Sequence, residues 1–326
     1  MEKRNRLVDE RARRKTGYKN QNQEQNQNEW YIDEDNYFSR LDKFLRSTLK
    51  NVPLSALYKL IRTGKVFVNG KRAKEPSYKL NIKDVVEIRD EDLSKYDRKF
   101  EELKPVKMKL DVLYEDDMVL ALNKPSGVSV HPGRNMKKPS LIEGIKYYGE
   151  KSGFEPFLVH RLDKETSGVL IVAKSRNMAR ELGELVSSRN VEKNYIALVF
   201  GRVQGQRVRI DTQIDGQEAV SIIMPARVYK TSVGYITLVK VKIETGRKHQ
   251  IRKHLAAKGF PVVCDNDHGD FRLNREFAKR YGLKRHFLHC ESMVFSFGGR
   301  HYNIHAPLSE DLSIVLKLLY MESVKS

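Results

Sequence analysis

His160-Arg161-Leu162-Asp163-Lys164-Glu165-Thr166-Ser167-Gly168 lies between the apolar run Phe157-Leu158-Val159 and the strand-like run Val169-Leu170-Ile171-Val172-Ala173. Both flanks ask for a core, so His160, Arg161 and Asp163 form a polar wedge beside buried strands. An isolated carboxylate in low dielectric takes up a proton, and one that stays charged must be paired or hydrogen-bonded. Asp163 is therefore the first candidate for chemistry. The plain alternative is a salt-bridged turn joining two strands, since such loops are commonly polar.

Strand signals continue on both sides of this stretch. Upstream, Val112-Leu113-Tyr114 and Met118-Val119-Leu120-Ala121-Leu122 read as a hairpin through Glu115-Asp116-Asp117, and the turn-rich Asn123-Lys124-Pro125-Ser126-Gly127-Val128 follows. Ser140 caps a helix through residue 148, and Ser175 caps another with Met178, Leu182, Leu185 and Val186 on one side. Further strands are expected at 195–200, 219–224 and 237–244. In the last, Val239, Val241 and Ile243 alternate with Lys240, Lys242 and Glu244, which marks one buried and one wet face. Many strands with few interspersed helices predict an α+β fold around a mixed or antiparallel sheet for residues 107–326. Thr245-Gly246-Arg247-Lys248-His249-Gln250-Ile251-Arg252-Lys253-His254-Leu255 then opens a helix. Ile251 and Leu255 dock it, and Lys248 and Arg252 are expected as an i,i+4 pair on an adjacent side.

The N-terminal third has another texture. Residues 1–36 begin with eight basic residues in the first twenty and continue into a Gln/Asn-rich run, the composition of a disordered tail. From residue 37 to 90 a small α/β module is expected. Leu41, Phe44, Leu45 and Leu49, then Leu54, Leu57, Leu60 and Ile61, recur at helical spacing. Val66-Phe67-Val68 runs into Asn69-Gly70, the strongest short hairpin signal, and a second strand covers 84–88. Between Ser39 and Arg89 thirteen Lys or Arg face four Asp or Glu, so about fifty residues carry +9 of the chain's +19. Lys43, Arg46, Lys59, Arg62, Lys65, Lys71 and Arg72 flank the apolar positions, as in a helix face laid against phosphates. A solvated basic face is the competing reading. Residues 91–106, rich in Asp, Glu and Lys, read as a linker.

Composition bounds the class. A chain of 326 residues with 40% hydrophobic content has room for two domains and a sizeable core. No apolar run approaches the ~20 residues that span a bilayer, so a soluble, cytoplasmic protein without a membrane partner is expected. Cys264 and Cys290 are too few and too far apart for a disulfide framework or a thiolate zinc site. The excess of 61 Lys and Arg over 42 Asp and Glu favours a polyanionic partner through counterion release.

The nine-residue stretch resembles the signature of the RluA-type pseudouridine synthases, whose hallmark is Asp in His-Arg-Leu-Asp followed by Thr-Ser-Gly. Asn123-Lys124-Pro125-Ser126-Gly127, Lys193-Asn194-Tyr195-Ile196-Ala197 and the Thr245 to Arg252 stretch are similar to that family's other motifs, in the family's order. One motif departs. Where the family usually has Gly-Asp-x-x-Tyr-Gly, this chain reads Cys264-Asp265-Asn266-Asp267-His268-Gly269. Residues 39–89, with Arg40-Leu41-Asp42 and Val66-Phe67-Val68-Asn69-Gly70-Lys71, resemble the small RNA-binding domain known from the fourth small-subunit ribosomal protein.

The resemblance implies a pseudouridine synthase catalytic domain, with Asp163 as catalytic carboxylate, Tyr195 as active-site tyrosine and Arg252 as the arginine paired with the aspartate. It implies a structured RNA substrate, large-subunit ribosomal RNA before tRNA because of the extra N-terminal module, and a monomer. Lys124, Arg161, Arg247 and Lys248 join the module's basic residues as expected RNA contacts. The isomerisation conserves atoms and electrons, so no cofactor and no metal is expected. Arg252 would keep the carboxylate ionised, and Tyr195 would stack on a flipped base or move a proton with its hydroxyl.

Other chemistries fit less well. Ser167 lacks the Gly-x-Ser-x-Gly elbow, and the histidines lack metal-ligand spacing. Residues 265–267 read as a solvated turn, without the Gly and terminal Glu of a calcium loop. A glycoside hydrolase would need Glu165 as its second carboxylate. A non-catalytic RNA-binding assembly factor is the rival from another class.

Overall fold

The computed structural model describes residues 28–325, except 35, 50, 91–92, 94–95, 97–102 and 134–137. The expected basic tail up to residue 27 lies outside the described residues. The chain divides into two compact units, the first up to Glu101 and the second from Glu102.

The first unit holds β1 (Glu29–Tyr31), α1 (Leu41–Thr48), α2 (Leu54–Arg62), β2 (Val66–Val68), β3 (Lys71–Arg72) and β4 (Val85–Ile88). Its sheet runs β1-β4-β2-β3, all antiparallel. Asn69 and Gly70 sit at φ 49° and 74°, the left-handed pair that a two-residue hairpin turn requires. Leu41, Phe44 and Leu45 of α1 pack with Leu57, Leu60 and Ile61 of α2 over Val66, Val68, Val86 and Ile88. That core leaves Lys43, Arg46, Lys59, Arg62, Lys71 and Arg72 at the surface, while Lys65 is drawn 2.5 Å from the buried Asp90. The sequence boundary at residue 36 needs correction. Glu29–Tyr31 pairs with Tyr31 opposite Val85, because Trp30 and Ile32 have apolar surface to bury in this core.

The second unit folds around a ten-stranded sheet among the described residues. Its elements are β5 (Val112–Glu115), β6 (Val119–Lys124), α3 (Leu141–Ser152), β7 (Phe157–Leu158), β8 (Ser167–Ala173), α4 (Arg176–Ser187), β9 (Glu192–Phe200), β10 (Val208–Ile210), β11 (Ser221–Thr231), β12 (Gly234–Ile243), α5 (Gln250–Ala257), α6 (Phe271–Tyr281), β13 (Leu288–Phe297), β14 (Arg300–His305) and α7 (Glu310–Lys325). The strand order is β10-β11-β12-β9-β13-β8-β6-β5, with β14 on β13 and β7 on β8. Every pairing is antiparallel but one, β13 on β8, so the sheet is mixed, as the patterning predicts. β11 runs past the expected end at Met224 because a bulge between Pro225 and Arg227 absorbs the proline. The linker reading also ends too late, since Leu103 packs against the cluster of α3 and the Val106 N–H donates to the Glu143 carbonyl.

The one parallel pairing sets the geometry of the opening stretch. His289 lies opposite Ser167 and Cys290 opposite Gly168, so the loop carrying Asp163 leaves directly from the centre of the sheet. Gly168 has φ 112°, and a Cβ there would stand 2.1 Å from the Cys290 carbonyl oxygen. Backbone strain and a backbone clash act together at this point. Gly168→Ala is expected to destabilise the second unit by about 3 kcal/mol or more, or to prevent its folding. Urea unfolding of the variant checks this, and a midpoint equal to wild type would show that the strands can separate without cost.

Candidate active site

Asp163 sits on the loop between β7 and β8, where its carbonyl accepts from the Thr166 N–H at 3.1 Å and closes a tight turn. Three distant groups pin the next three residues. The Lys124 ammonium donates to the Lys164 carbonyl at 3.0 Å, Arg285 Nη1 to the Glu165 carbonyl at 2.9 Å, and Thr166 Oγ1 lies 2.8 Å from His286 Nε2. His160, at the loop's start, accepts from the Ile171 N–H through Nε2 at 2.9 Å. Burial pushes the His160 imidazole down to about 3, with the Lys193 charge acting in the same direction, so it serves as a neutral acceptor.

Arg252 enters from α5. Its side chain is 4% exposed and reaches three carboxylates. Nε and Nη2 form a fork on Asp265 at 2.7 and 2.6 Å, Nη2 also meets Asp267 at 2.6 Å, and Nη1 donates to Asp163 Oδ2 at 3.3 Å. Burial alone would lower the guanidinium pKa, but the hydrogen bonds and charges of Asp265 and Asp267, with Asp163, raise it on balance. Burial in turn works against the charged Asp265, and Arg252 outweighs it to hold that carboxyl below the usual range. The guanidinium is thus locked in place before it touches Asp163.

α5 starts at Gln250 because His249 adopts the left-handed conformation at φ 54°. Gln250 fixes that corner: its amide donates to the Val220 carbonyl and its oxygen accepts from the Thr245 hydroxyl and the Arg247 N–H. The break corrects the expected helical pair. Lys248 lies before the helix and is exposed, whereas Arg252 is buried, so they share no side.

Tyr195 lies on β9 opposite Val241 of β12 and Cys290 of β13, 6% exposed. Burial, reinforced by the neighbouring Cys290, raises its phenol well above the ordinary range, so the hydroxyl stays protonated. Its side chain lies on the lining of the cavity that also holds Asp163. Asp163, Tyr195 and Arg252 line one cavity of about 410 Å³ together with Leu162, Ile243 and Leu288. Arg161, Arg247 and Lys248 are exposed on its lining, where an RNA strand can reach them. A second cleft of about 520 Å³ shares Asp163 and Arg252 and continues past Lys164, Lys284 and His286.

Lys124 belongs to neither cleft as an RNA contact. It is fully buried, and its ammonium donates to the Pro125, Val128 and Lys164 carbonyls at 2.7, 2.8 and 3.0 Å. Burial pushes its pKa down to about 7 against the opposing pull of Glu165. Three converging carbonyls explain why a lysine was drawn inside. The solvated-turn reading of residues 265–267 holds for Asn266 and Asp267, which are exposed, and fails for Asp265, which is fully buried on Arg252. Sequence reasoning missed Asp265, Asp267, Arg285 and His286. Only Asp265 left a signal, as the aspartate retained within the departing motif.

Residues 118–257 match the family model described as RNA pseudouridylate synthase, and residues 39–86 match the S4 domain. Over 300 residues, 86% of this chain and 92% of the relative, it is 36% identical to the ribosomal large subunit pseudouridine synthase C of Escherichia coli K12. The chain belongs to the RNA pseudouridylate synthase family. The Vibrio vulnificus large subunit pseudouridine synthase C matches this synthase at 36% over 308 residues, 88% of this chain and 95% of that one. Among solved structures, human RNA pseudouridylate synthase domain containing 4 superposes on the synthase with TM-score 0.52 and 25% identity, covering 64% of this chain and 93% of that chain. Human RNA pseudouridylate synthase domain containing 1 superposes with the same TM-score at 23% identity, covering 64% of this chain and 87% of that chain, which shows the shared fold. The S4-type module adds an RNA-binding unit to the synthase. Among the described residues no helix is long and apolar enough to cross a membrane.

Proposed function

We propose that this synthase isomerises specific uridines of large-subunit ribosomal RNA, acting as a cytoplasmic monomer with Asp163, Tyr195 and Arg252 at the reacting nucleotide. The observation that carries the reading is a carboxylate held by a locked, buried guanidinium at a cavity that also contains an aromatic ring. In the reaction the N1–C1′ bond breaks and a C5–C1′ bond forms. The proton leaves C5 and N1 gains one, so nothing is oxidised or reduced. Asp163 supplies the carboxylate that acts on the sugar or base. Arg252 sets its direction, and Tyr195 offers its face to a base flipped from the RNA, whose unstacking costs a few kcal/mol. The names of the bacterial relatives and the S4-type module favour ribosomal RNA over tRNA. Incubation with large-subunit ribosomal RNA and tRNA transcripts, followed by pseudouridine mapping, tests the substrate. Modification confined to tRNA would overturn it.

The basic module contributes affinity and none of the three central residues. Every phosphate that the protein ceases to neutralise lowers the slope of log K against log salt by roughly 0.7 to 0.9. Removing residues 1–101 is therefore expected to flatten that slope by several units. It should also lower the yield on long structured RNA near physiological salt more than on a short fragment at low salt. Paired salt titrations check this, and equal slopes would exclude the module from RNA binding.

A further inference from the structure

The departing motif places a histidine where the resembled family's Gly-Asp-x-x-Tyr-Gly has its tyrosine, and that histidine has found a partner. His268 Nε2 lies 2.9 Å from His249 Nδ1, with the rings edge to face and centroids 5.2 Å apart. Asp267 stands beside them, and one ligand atom from each of the three residues falls within 4.8 Å of the others. His249 is held by its left-handed backbone at the start of α5, while Asp267 is exposed, so the group opens to solvent from one side.

We propose that His249, His268 and Asp267 form a binding site for a borderline transition-metal ion such as Zn²⁺, and that occupancy inhibits the synthase. Two imidazole nitrogens with one carboxylate oxygen are a donor set for zinc, whereas magnesium and calcium take oxygen ligands. Two nitrogens bound at ~2.0 Å to a tetrahedral ion stand about 3.3 Å apart, so the pair has to open by only a few tenths of an ångström from its present separation. A fourth position is left for water. The inhibition follows from shared ligands. Asp267 Oδ2 is also bound to Arg252 Nη2 at 2.6 Å, and His249 Nε2 lies 3.9 Å from Asp163 Oδ1. An ion bound to Asp267 competes with Arg252 for the charge of that carboxylate. It also sets a double positive charge one imidazole away from Asp163, and both changes alter the arrangement that meets the nucleotide.

The test uses the full-length protein with Zn²⁺ in calorimetry and Co²⁺ as a visible-absorption probe. Wild type is expected to bind one equivalent in the micromolar range. His268→Tyr, and His268→Asn should the first fold poorly, are expected to weaken binding at least tenfold. Exchange of His301 and His305, exposed on β14, for alanine should leave it unchanged. In parallel, Zn²⁺ should lower the pseudouridine yield of wild type and a chelator should restore it, while the yield of His268→Tyr, measured against its own metal-free rate, should not respond. Three results would overturn the proposal: no micromolar binding by wild type, equal affinity in the His268 variants, or a bound ion that leaves the wild-type yield unchanged.

Discussion

Asp163→Asn should abolish pseudouridine formation while the protein still folds and binds RNA. Asparagine keeps the shape and can still accept from Arg252 Nη1, but it lacks the negative charge that the role proposed for Asp163 needs. The fold should tolerate the change because Asp163 is partly exposed and Arg252 keeps Asp265 and Asp267, so no buried cation is orphaned. Stability should move by no more than about 1 kcal/mol, the ordinary range for a substitution that creates neither cavity nor unpaired buried charge. The rate should fall at least ~10⁴-fold, about 5.5 kcal/mol of lost transition-state stabilisation. Single-turnover assays on a ribosomal RNA fragment, with binding measured on the same samples, check both halves. A residual rate within about a hundredfold of wild type would remove Asp163 from the chemistry. Loss of RNA binding would instead make it a structural carboxylate.

What could be read from the sequence was local. The hairpin at Asn69-Gly70 is dictated by two residues that accept positive φ, and the alternation of Val239, Val241 and Ile243 with lysines fixes the faces of β12. The polar wedge between two apolar flanks made the Asp163 loop a candidate beside a plain salt-bridged turn, and the resemblance of the nine-residue stretch to the family signature singled out Asp163. Partners from far along the chain were not. Arg285 and His286 hold Glu165 and Thr166 across 120 residues, and nothing in a basic pair before a strand announces that. Lys124 read as a surface cation because a lysine is costly to bury, and only the convergence of three carbonyls reverses that cost. The pairing of Lys248 with Arg252 assumed an unbroken helix, and the left-handed His249 invalidates the spacing. Trp30 signals little within a polar segment until β4 is there to pair with its strand. In each case the missing information was a tertiary neighbour, which periodicity does not encode.

Arg252 answers to that same tertiary environment, and its replacement should separate catalysis from folding. In Arg252→Lys the charge remains but a single ammonium cannot fork on Asp265 while also reaching Asp267 and Asp163. Activity should fall at least ~10²-fold, equivalent to about 2.7 kcal/mol, with a smaller loss of stability. Arg252→Met removes the charge and leaves Asp265 buried without a cation, which should cost about 3–5 kcal/mol. The pH dependence identifies the cause. In wild type Asp265 is held below its unfolded pKa, so its contribution is present above the ordinary carboxylate range and is lost as pH falls through the folded value. In the Met variant burial without the cation raises the same pKa relative to wild type, so the penalty is largest at neutral pH and fades as the carboxyl takes up a proton. The stability gap between wild type and Arg252→Met should therefore narrow steadily from about pH 7 to about pH 4 in urea unfolding. A gap that stays constant would mean that Arg252 supports the fold through packing and not through Asp265. An Arg252→Lys variant with wild-type turnover would mean that the forked geometry is not what directs Asp163.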